Sequence, residues 1–143
     1  MPSASDSSYT HRYEHRVRVY WEDTDAGGVV YYANYLKFLE RGRSEWLRAL
    51  GVDQPRLRTE RGLQFVVVSV AVDFLRPAKL DDEVLVTAEL ESLRGATIAF
   101  KQRIMREDVR LIDASVRVAC LDSGTLKPRP IPKDLFTEWR NGQ

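Results

Sequence analysis

Three carboxylates stand together near the start of the chain, at Glu22, Asp23 and Asp25, and the glycines Gly27 and Gly28 follow them. An Asp side chain has a reference pKa of about 3.9, so it is ionised at neutral pH and can act without a partner His. It can attack an electrophilic carbon or take a proton from water. A carboxylate is too weak for an unactivated amide, whereas a thioester is more electrophilic and has a better leaving group. The carboxylates therefore favour thioester chemistry over peptide chemistry.

A helical pattern begins directly behind the glycines and covers residues 33–50. Its apolar positions form one stripe, and Gly51 follows as a plausible stop; the stripe consists of Leu36, Leu39, Trp46, Leu47 and Leu50. Glycine lets backbone N–H groups approach a ligand closely, and a helix N-terminus presents unpaired N–H donors with a positive partial charge. Such donors stabilise a developing oxyanion. A carboxylate beside an oxyanion site is the arrangement that acyl transfer needs.

Other interpretations of the same residues stay open at this point. Asp favours turns and helix N-termini, so the acidic cluster can be purely structural. A glycosidase needs two acids across a sugar cleft, and acids packed this closely fit that requirement poorly. The single cysteine, Cys120, excludes an intramolecular disulfide. It is expected as a small buried residue rather than a catalytic thiol, because the two histidines, His11 and His15, precede the first strand.

The rest of the chain reads mainly as strands. Alternation predicts a half-buried strand at 16–22, with Val17, Val19 and Trp21 on one side. Further strands are predicted at 65–75, 84–93, 97–106 and 111–121, the first of them covered on both faces because it is almost continuously apolar. Short connections at Arg94-Gly95 and Glu107-Asp108 predict hairpins, and a short amphipathic segment is expected at 133–139.

The order of these elements predicts an α+β fold with a five-stranded, mainly antiparallel sheet and one long helix. We expect a single domain over residues 15–143, preceded by a flexible lead over residues 1–14. One helix covers only one face of such a sheet, so a homodimer, with sheets joined edge to edge, is expected to cover more of it.

Composition limits the classes of partner. The chain has 143 residues, of which 43% are hydrophobic and 30% charged, and this composition is typical of a globular protein. A formal net charge of +1 gives no overall attraction to nucleic acid or to a membrane surface. The first residues lack the apolar core of a signal peptide, and no stretch is long enough to span a bilayer, so a cytoplasmic location is expected.

The stretch VYWEDTDAGGVVYYANYLKFLERGRSEWLR resembles the signature of the 4-hydroxybenzoyl-CoA thioesterase family, which are hotdog-fold acyl-CoA thioesterases. With FLRPAKLDDEV, LRGATIAFKQRI and LKPRPIP, the likeness is greatest to the Tol-Pal-associated (YbgC-like) branch. It implies a hotdog fold, in which the sheet wraps around the long helix. It also implies dimers, often paired into homotetramers, with active sites at the subunit interface. The implied reaction is hydrolysis of an acyl-CoA to the free acid and CoA, with no cofactor and no metal.

The resemblance assigns roles to individual residues. Asp25 corresponds to the catalytic carboxylate, and the backbone amide of Tyr32 corresponds to the oxyanion donor. Asn34 shapes the site, whereas Tyr35 is expected mainly to pack. Position 32 departs from the branch, which usually has His there, while the 4-hydroxybenzoyl branch has Tyr. A phenol cannot perform the proton transfer of an imidazole at neutral pH, so any catalytic role of that His is absent here.

The remaining predictions concern coenzyme A. Substrate-binding roles are predicted for Gly28, Asn34, Val67, Val68, Ser69 and Arg94, with Lys79, Lys101 and Arg129 as weaker candidates. Within this set, Val67, Val68 and Ser69 would line the pantetheine channel. Arg94 would lie near the nucleotide phosphates, which need cations.

Two alternative functions remain. A hotdog dehydratase usually requires an Asp-His pair, and no His lies near Asp25 in the sequence. A non-catalytic module that binds acyl-CoA or acyl carrier protein in envelope or phospholipid metabolism is the second alternative. The sequence leaves the acyl group open among short aliphatic, long aliphatic and aromatic acids, and it does not distinguish a dimer from a tetramer.

Overall fold

The computed structural model describes residues 12–142. Its strands are β1 (Arg12–Arg18), β2 (Leu63–Phe74), β3 (Glu83–Arg94), β4 (Thr97–Arg106) and β5 (Val109–Asp122). Its helices are α1 (Tyr32–Ala49), α2 (Gln54–Arg61) and α3 (Thr137–Asn141). The long helix and the four later strands lie where the sequence predicts them, with bounds that differ by at most two residues.

The five strands form one sheet in the order β1-β3-β4-β5-β2, and all neighbouring pairs are antiparallel. Helix α1 lies on one face and packs mainly against β1, β3 and β4. The predicted α+β fold is confirmed, with the sheet arranged around one long helix. Because α1 sits toward the β1 side, β2 is left at an edge that the helix does not cover.

Both predicted hairpin turns are confirmed. Gly95 has φ of +58° in the two-residue connection between β3 and β4. Glu107 has φ of +53° in the connection between β4 and β5. Left-handed residues match the twist of the strands that such short turns join.

The buried face of α1 differs partly from the predicted stripe. Leu39, Trp46 and Leu47 are buried as predicted, but Leu36 is exposed. Tyr35 and Phe38 take the core positions of the first two turns. The helix is therefore rotated relative to the prediction, because its aromatic residues rather than Leu36 contact the sheet.

Gly42 allows α1 to lie close to the sheet. A Cβ built on Gly42 would stand 2.7 Å from Val86 Cγ1 and 3.4 Å from Gln102 Nε2. Val86 is fully buried and β-branched, so its methyl group cannot rotate away freely.

Gly42→Ala should destabilise the fold. We expect a net loss of about 1–2 kcal/mol in the free energy of unfolding, because overpacking of the core outweighs the better helix propensity of Ala. Chemical denaturation of Gly42→Ala, Val86→Ala and the double variant measures the effect and its coupling. In the Val86→Ala background the Gly42→Ala cost should disappear. Stabilisation by Gly42→Ala in the wild-type background would contradict the close approach.

The first strand is displaced from its prediction. β1 ends at Arg18, and the Val19 amide then donates to the Asp82 carbonyl (2.9 Å). Residues Trp21–Asp23 form a 3-10 turn in which Trp21 is 75% exposed, so its predicted place on the buried side is wrong. Residues 12–14, predicted as part of the flexible lead, belong to β1. The rest of that lead, with His11, lies outside the described residues.

Helix α2 was not predicted. Asp53 caps it by accepting from the Arg56 amide (3.1 Å), Pro55 stands in its first turn, and Gly62 ends it with φ of +65°. Only Leu57 of this helix is buried, so it lacks an apolar stripe that would reveal it. At the other end of the chain, the predicted segment 133–139 becomes a turn followed by α3.

The prediction that residues 65–75 are covered on both faces is wrong for the single chain. Val67, Val68, Val70 and Phe74 are all exposed. A continuous apolar run usually indicates a central strand, but β2 lies at the sheet edge beyond the reach of α1. Its apolar side chains are therefore uncovered in the chain itself.

Candidate active site

Asp25 lies at the start of a tight hairpin that precedes α1. Its amide donates to the Val29 carbonyl (2.9 Å), and the Gly28 amide donates back to the Asp25 carbonyl (3.0 Å). Gly28 closes this turn with φ of +79°, a conformation that favours glycine. The Gly28 amide is thus engaged within the loop, and its predicted contact with substrate stays a prediction.

The hairpin also fixes the Asp25 carboxylate. The Gly27 amide donates to Asp25 Oδ1 (2.8 Å). Within residues 12–142, no hydrogen bond is formed to the other oxygen, Oδ2, and the side chain is exposed. One oxygen therefore orients the group, while the second is available to a reactant.

Asp23 has a structural role. Its Oδ2 accepts from the Tyr20 amide (2.8 Å) and closes the 3-10 turn. Its carbonyl accepts from both the Tyr31 amide (3.0 Å) and Asn34 Nδ2 (2.9 Å). These bonds tie the loop to the first turn of α1, so Asn34 holds the Asp25 hairpin against the helix.

The N-terminus of α1 is not capped by a side chain. Tyr31 is the N-cap residue, with φ of −62° and ψ of 129°, and it makes no side-chain cap. Tyr32 is the first helical residue, so its amide is one of the helical donors that have no intrahelical acceptor. The carboxylate-bearing loop therefore leads directly to a helix end with donors available for an anion.

An aromatic cluster surrounds this helix end. The rings of Tyr31 and Tyr32 lie 4.9 Å apart, and Tyr32 meets Phe74 edge-on at 6.2 Å. A hydrogen bond to the Tyr32 side chain raises the pKa of the Tyr31 hydroxyl. Sequence reasoning missed Phe74, which is 51% exposed here, because only the strand register brings the end of β2 to the start of α1.

Tyr35 packs, as expected. It is buried, its hydroxyl accepts from the Ala78 amide (2.9 Å), and its ring lies 5.8 Å from Phe74. Burial raises the pKa of the Tyr35 hydroxyl. The hydroxyl oxygen of Tyr35 is therefore hydrogen-bonded, and the group does not readily lose its proton. Tyr35 supports the site by packing against Phe74.

The predicted pantetheine and nucleotide residues lie at the other end of the sheet. Strand pairing places Val67 on β2 in line with Leu93 on β3, with β5 and β4 between them. Val67 and Arg94 therefore lie at the same end of the sheet. Ser69, the nearest of the pantetheine candidates, is five residues before Phe74, roughly 16 Å along an extended strand. Val68 stands at a register shift between Val67 and Ser69. Within one chain, the structure does not bring these residues to Asp25.

The three weaker candidates for coenzyme A binding, Lys79, Lys101 and Arg129, lie in different surroundings. Arg129 pairs with Asp122 (3.2 Å), and Lys101 lies opposite Glu89 on β3. The backbone of Lys79 bridges to Val29 beside the Asp25 hairpin, with its side chain exposed. The expectation for Cys120 is confirmed, since it is fully buried and burial raises the pKa of its thiol.

Two features are absent from the described part of the chain, a metal-binding cluster and a membrane-spanning helix. Among residues 12–142, no group of three or more His, Cys, Asp and Glu side chains could hold a metal ion. Over the same residues, no helix combines the length and apolar character needed to cross a bilayer.

Comparison with known proteins identifies the family. Residues 27–112 match the model of the thioesterase superfamily, a match that begins two residues after Asp25. The chain is 52% identical to acyl-CoA thioesterase YbgC of Haemophilus influenzae over 83% of this chain and 88% of that protein. It is 46% identical to acyl-CoA thioester hydrolase YbgC of Escherichia coli, covering 87% and 92%.

A solved structure supports the same assignment. A probable thioesterase from Bartonella henselae superposes with a TM-score of 0.81 at 38% identity, covering 85% of this chain and 99% of that one. The sheet and long helix are thus those of a hotdog fold, and the chain belongs to the thioesterase superfamily.

Proposed function

We propose that the protein is an acyl-CoA thioesterase that hydrolyses its substrate to the free acid and CoA. The observation that carries this proposal is the Asp25 hairpin, which holds a carboxylate directly before the N-terminus of α1. One carboxylate oxygen makes no hydrogen bond within residues 12–142, and the helix end has no side-chain cap. The names of the YbgC relatives support the reaction class, and the thioester bond matches the modest reactivity of a carboxylate.

The proposed chemistry uses one group at each end of this loop, the Asp25 carboxylate and the Tyr32 amide. Asp25 either attacks the acyl carbon, forming a mixed anhydride that water then cleaves, or takes a proton from the attacking water. In both routes the thioester oxygen gains negative charge and accepts from the Tyr32 amide. Collapse of the tetrahedral species breaks the carbon–sulfur bond and releases CoA as a thiolate, which then takes up a proton.

We further propose that the working form is a homo-oligomer, a dimer or a dimer of dimers. Asp25 and Tyr32 are exposed in the single chain, and the apolar face of β2 is uncovered. A two-fold axis near residues 71–72 that pairs the β2 edges antiparallel would bring Ser69 of one copy toward Phe74 of the other. Such pairing would join the pantetheine residues to an Asp25 loop that the single chain keeps apart from them.

The exposed aromatic cluster gives the acyl group a wall in this arrangement. Tyr31, Tyr32 and Phe74 present apolar ring surface beside the helix end. The alternative of a non-catalytic module for acyl-CoA or acyl carrier protein would use the same wall. Association with the Tol-Pal system, an envelope role and a cytoplasmic location stay predictions of the sequence.

Thiol release tests the proposal. The purified protein is incubated with acetyl-, hexanoyl-, palmitoyl- and benzoyl-CoA in the presence of a thiol-reactive dye. We expect turnover of at least one of these esters above the uncatalysed rate. Binding of the same esters without any release of CoA would overturn the enzyme assignment and establish the binding module.

A further inference from the structure

The Asp25 hairpin is held by a segment from elsewhere in the chain. Residues 77–80, hereafter the bracing segment, lie between β2 and β3 and run antiparallel to the return arm of the hairpin. Two backbone hydrogen bonds join them, from the Val30 amide to the Ala78 carbonyl (2.8 Å) and from the Leu80 amide to the Gly28 carbonyl (3.2 Å). On its other side, the same arm accepts the Asp25 amide at the Val29 carbonyl. The position of Asp25 therefore depends on that of the bracing segment.

An ion pair at the end of β4 holds the bracing segment in turn. Arg106 is the last residue of β4, and its Nη1 donates to Asp82 Oδ2 (2.9 Å) and to the Pro77 carbonyl (3.3 Å). The same Asp82 oxygen accepts from the Lys79 amide (2.9 Å). One side-chain nitrogen and one side-chain oxygen thus fix two backbone groups of the bracing segment to the sheet.

This ion pair is partly sheltered from solvent. The side chains of Arg106 and Asp82 are 29% and 23% exposed, so salt screens them less than fully exposed charges. Burial disfavours the charged form of Asp82, but the hydrogen bonds from the Lys79 amide and from Arg106 outweigh it and lower the pKa of the Asp82 carboxyl. The pair is therefore ionised at neutral pH, and its geometry is set by charge-assisted hydrogen bonds.

The bracing segment has a second anchor that does not involve charge. Ala78 is fully buried, and its amide donates to the Tyr35 hydroxyl (2.9 Å). This contact keeps the segment attached to the core when the ion pair is removed. Loss of the ion pair should therefore loosen the segment without unfolding the domain.

We propose that Arg106 and Asp82 are positioning residues for hydrolysis at Asp25. Their ion pair holds the bracing segment, and the bracing segment holds the hairpin that carries the carboxylate. The inference rests on the proposed function, and it adds two residues that lie outside the acidic loop and the start of α1. A misplacement of about 1 Å at a reacting group costs up to about 10²-fold in rate, so a loosened hairpin should be measurable in catalysis.

Steady-state thiol release by Arg106→Gln and Asp82→Asn tests the proposal. Both changes remove a charge without adding volume, and Asn keeps an oxygen for the Lys79 amide. Each should lower kcat by about tenfold or more and leave KM within about threefold of wild type, because the geometry of the reacting group rather than substrate binding is altered. Arg103→Gln is the matched control, since Arg103 lies on the same strand but pairs with Asp113 of β5 (3.1 Å), and it should keep the wild-type kcat.

Two further variants separate positioning from general damage. Arg106→Lys should recover most of the lost kcat, because a single nitrogen makes both bonds of Arg106 and the Lys amine has enough donors for them. In the Asp25→Asn background, adding Arg106→Gln should change the residual rate by less than about twofold, since the ion pair acts through Asp25. Wild-type kcat in both Arg106→Gln and Asp82→Asn, or a further tenfold fall in the Asp25→Asn background, would overturn the proposal.

Amide hydrogen exchange gives a readout that does not need activity. In Arg106→Gln, the amides of Val30 and Leu80 should exchange about tenfold faster or more than in wild type, because both bonds join the hairpin to the bracing segment. Arg103→Gln should leave both rates unchanged. If the wild type releases no thiol from any tested ester, the proposed function fails, and the exchange rates still decide whether the ion pair holds the hairpin. Unchanged exchange in Arg106→Gln would overturn the inference even for an active enzyme.

Discussion

Asp25→Asn should reduce thioester hydrolysis by roughly 10²–10⁴-fold while leaving the fold intact. Asn retains a side-chain oxygen that can accept from the Gly27 amide, as Asp25 Oδ1 does at 2.8 Å, so the hairpin should keep its shape. What is lost is the negative charge on the oxygen that makes no bond within the described chain. The measurement is release of CoA thiol under saturating acyl-CoA, with circular dichroism and size-exclusion chromatography as checks on folding and assembly.

Asp23→Asn is the matched control for this experiment. Asp23 lies in the same acidic cluster, but its Oδ2 accepts from the Tyr20 amide and its carbonyl anchors Tyr31 and Asn34. An Asn can make the same bonds, so activity should stay within a few-fold of wild type. If Asp25→Asn were as active as Asp23→Asn, the catalytic carboxylate would have to be sought elsewhere.

The contrast between these two aspartates explains what the sequence could and could not predict at the site. Both stand before a helix with similar local spacing, and the structural and the catalytic interpretation fitted each of them equally well. The resemblance singled out Asp25, which stays a prediction. Each of the two carboxylates accepts from one backbone amide, and they differ in that Asp25 is exposed whereas Asp23 is half-buried. The charges in a sequence do not reveal how far each carboxylate is exposed.

The elements were predicted best where one periodicity ran without interruption. Strands β3 to β5 alternate between apolar and polar residues and are joined by short turns, one of them containing Gly95. The hydrophobic pattern and the turn residues therefore predicted the same strands. The strand prediction around Trp21 was wrong because the alternation continues past the end of β1, where the chain turns instead. Helix α2 carried its end signals at Asp53, Pro55 and Gly62, but without a hydrophobic stripe they were not enough to suggest a helix.

Contacts between distant segments could not be predicted from the sequence. The approach of Phe74 to Tyr32, and the separation of Val67 and Arg94 from Asp25, both follow from strand register. Register depends on pairing across the whole sheet, which a single strand does not encode. The same holds for Arg43, whose position on a helix face gave no sign that it would be buried against Gln102.

Tyr32→Pro should lower kcat by roughly 10²–10³-fold, the cost of removing one oxyanion donor, with a smaller change in KM. Proline has no N–H and is well tolerated at the first position of a helix, which Tyr32 occupies. The preceding residue, Tyr31, already has ψ of 129°, in the region that proline favours for its predecessor. The variant should therefore fold, since it removes an amide that has no acceptor within the helix.

Tyr32→Ala separates the amide from the ring. It keeps the N–H and removes the aromatic side chain, whose ring lies 6.2 Å from that of Phe74. Any loss of activity that comes from removing the ring is therefore common to both variants. The difference between them in steady-state thiol release measures the amide alone, because transition-state stabilisation enters kcat. Equal kcat values for Tyr32→Pro and Tyr32→Ala would exclude the Tyr32 amide as the oxyanion donor and leave the uncapped end of α1 without its proposed role in catalysis.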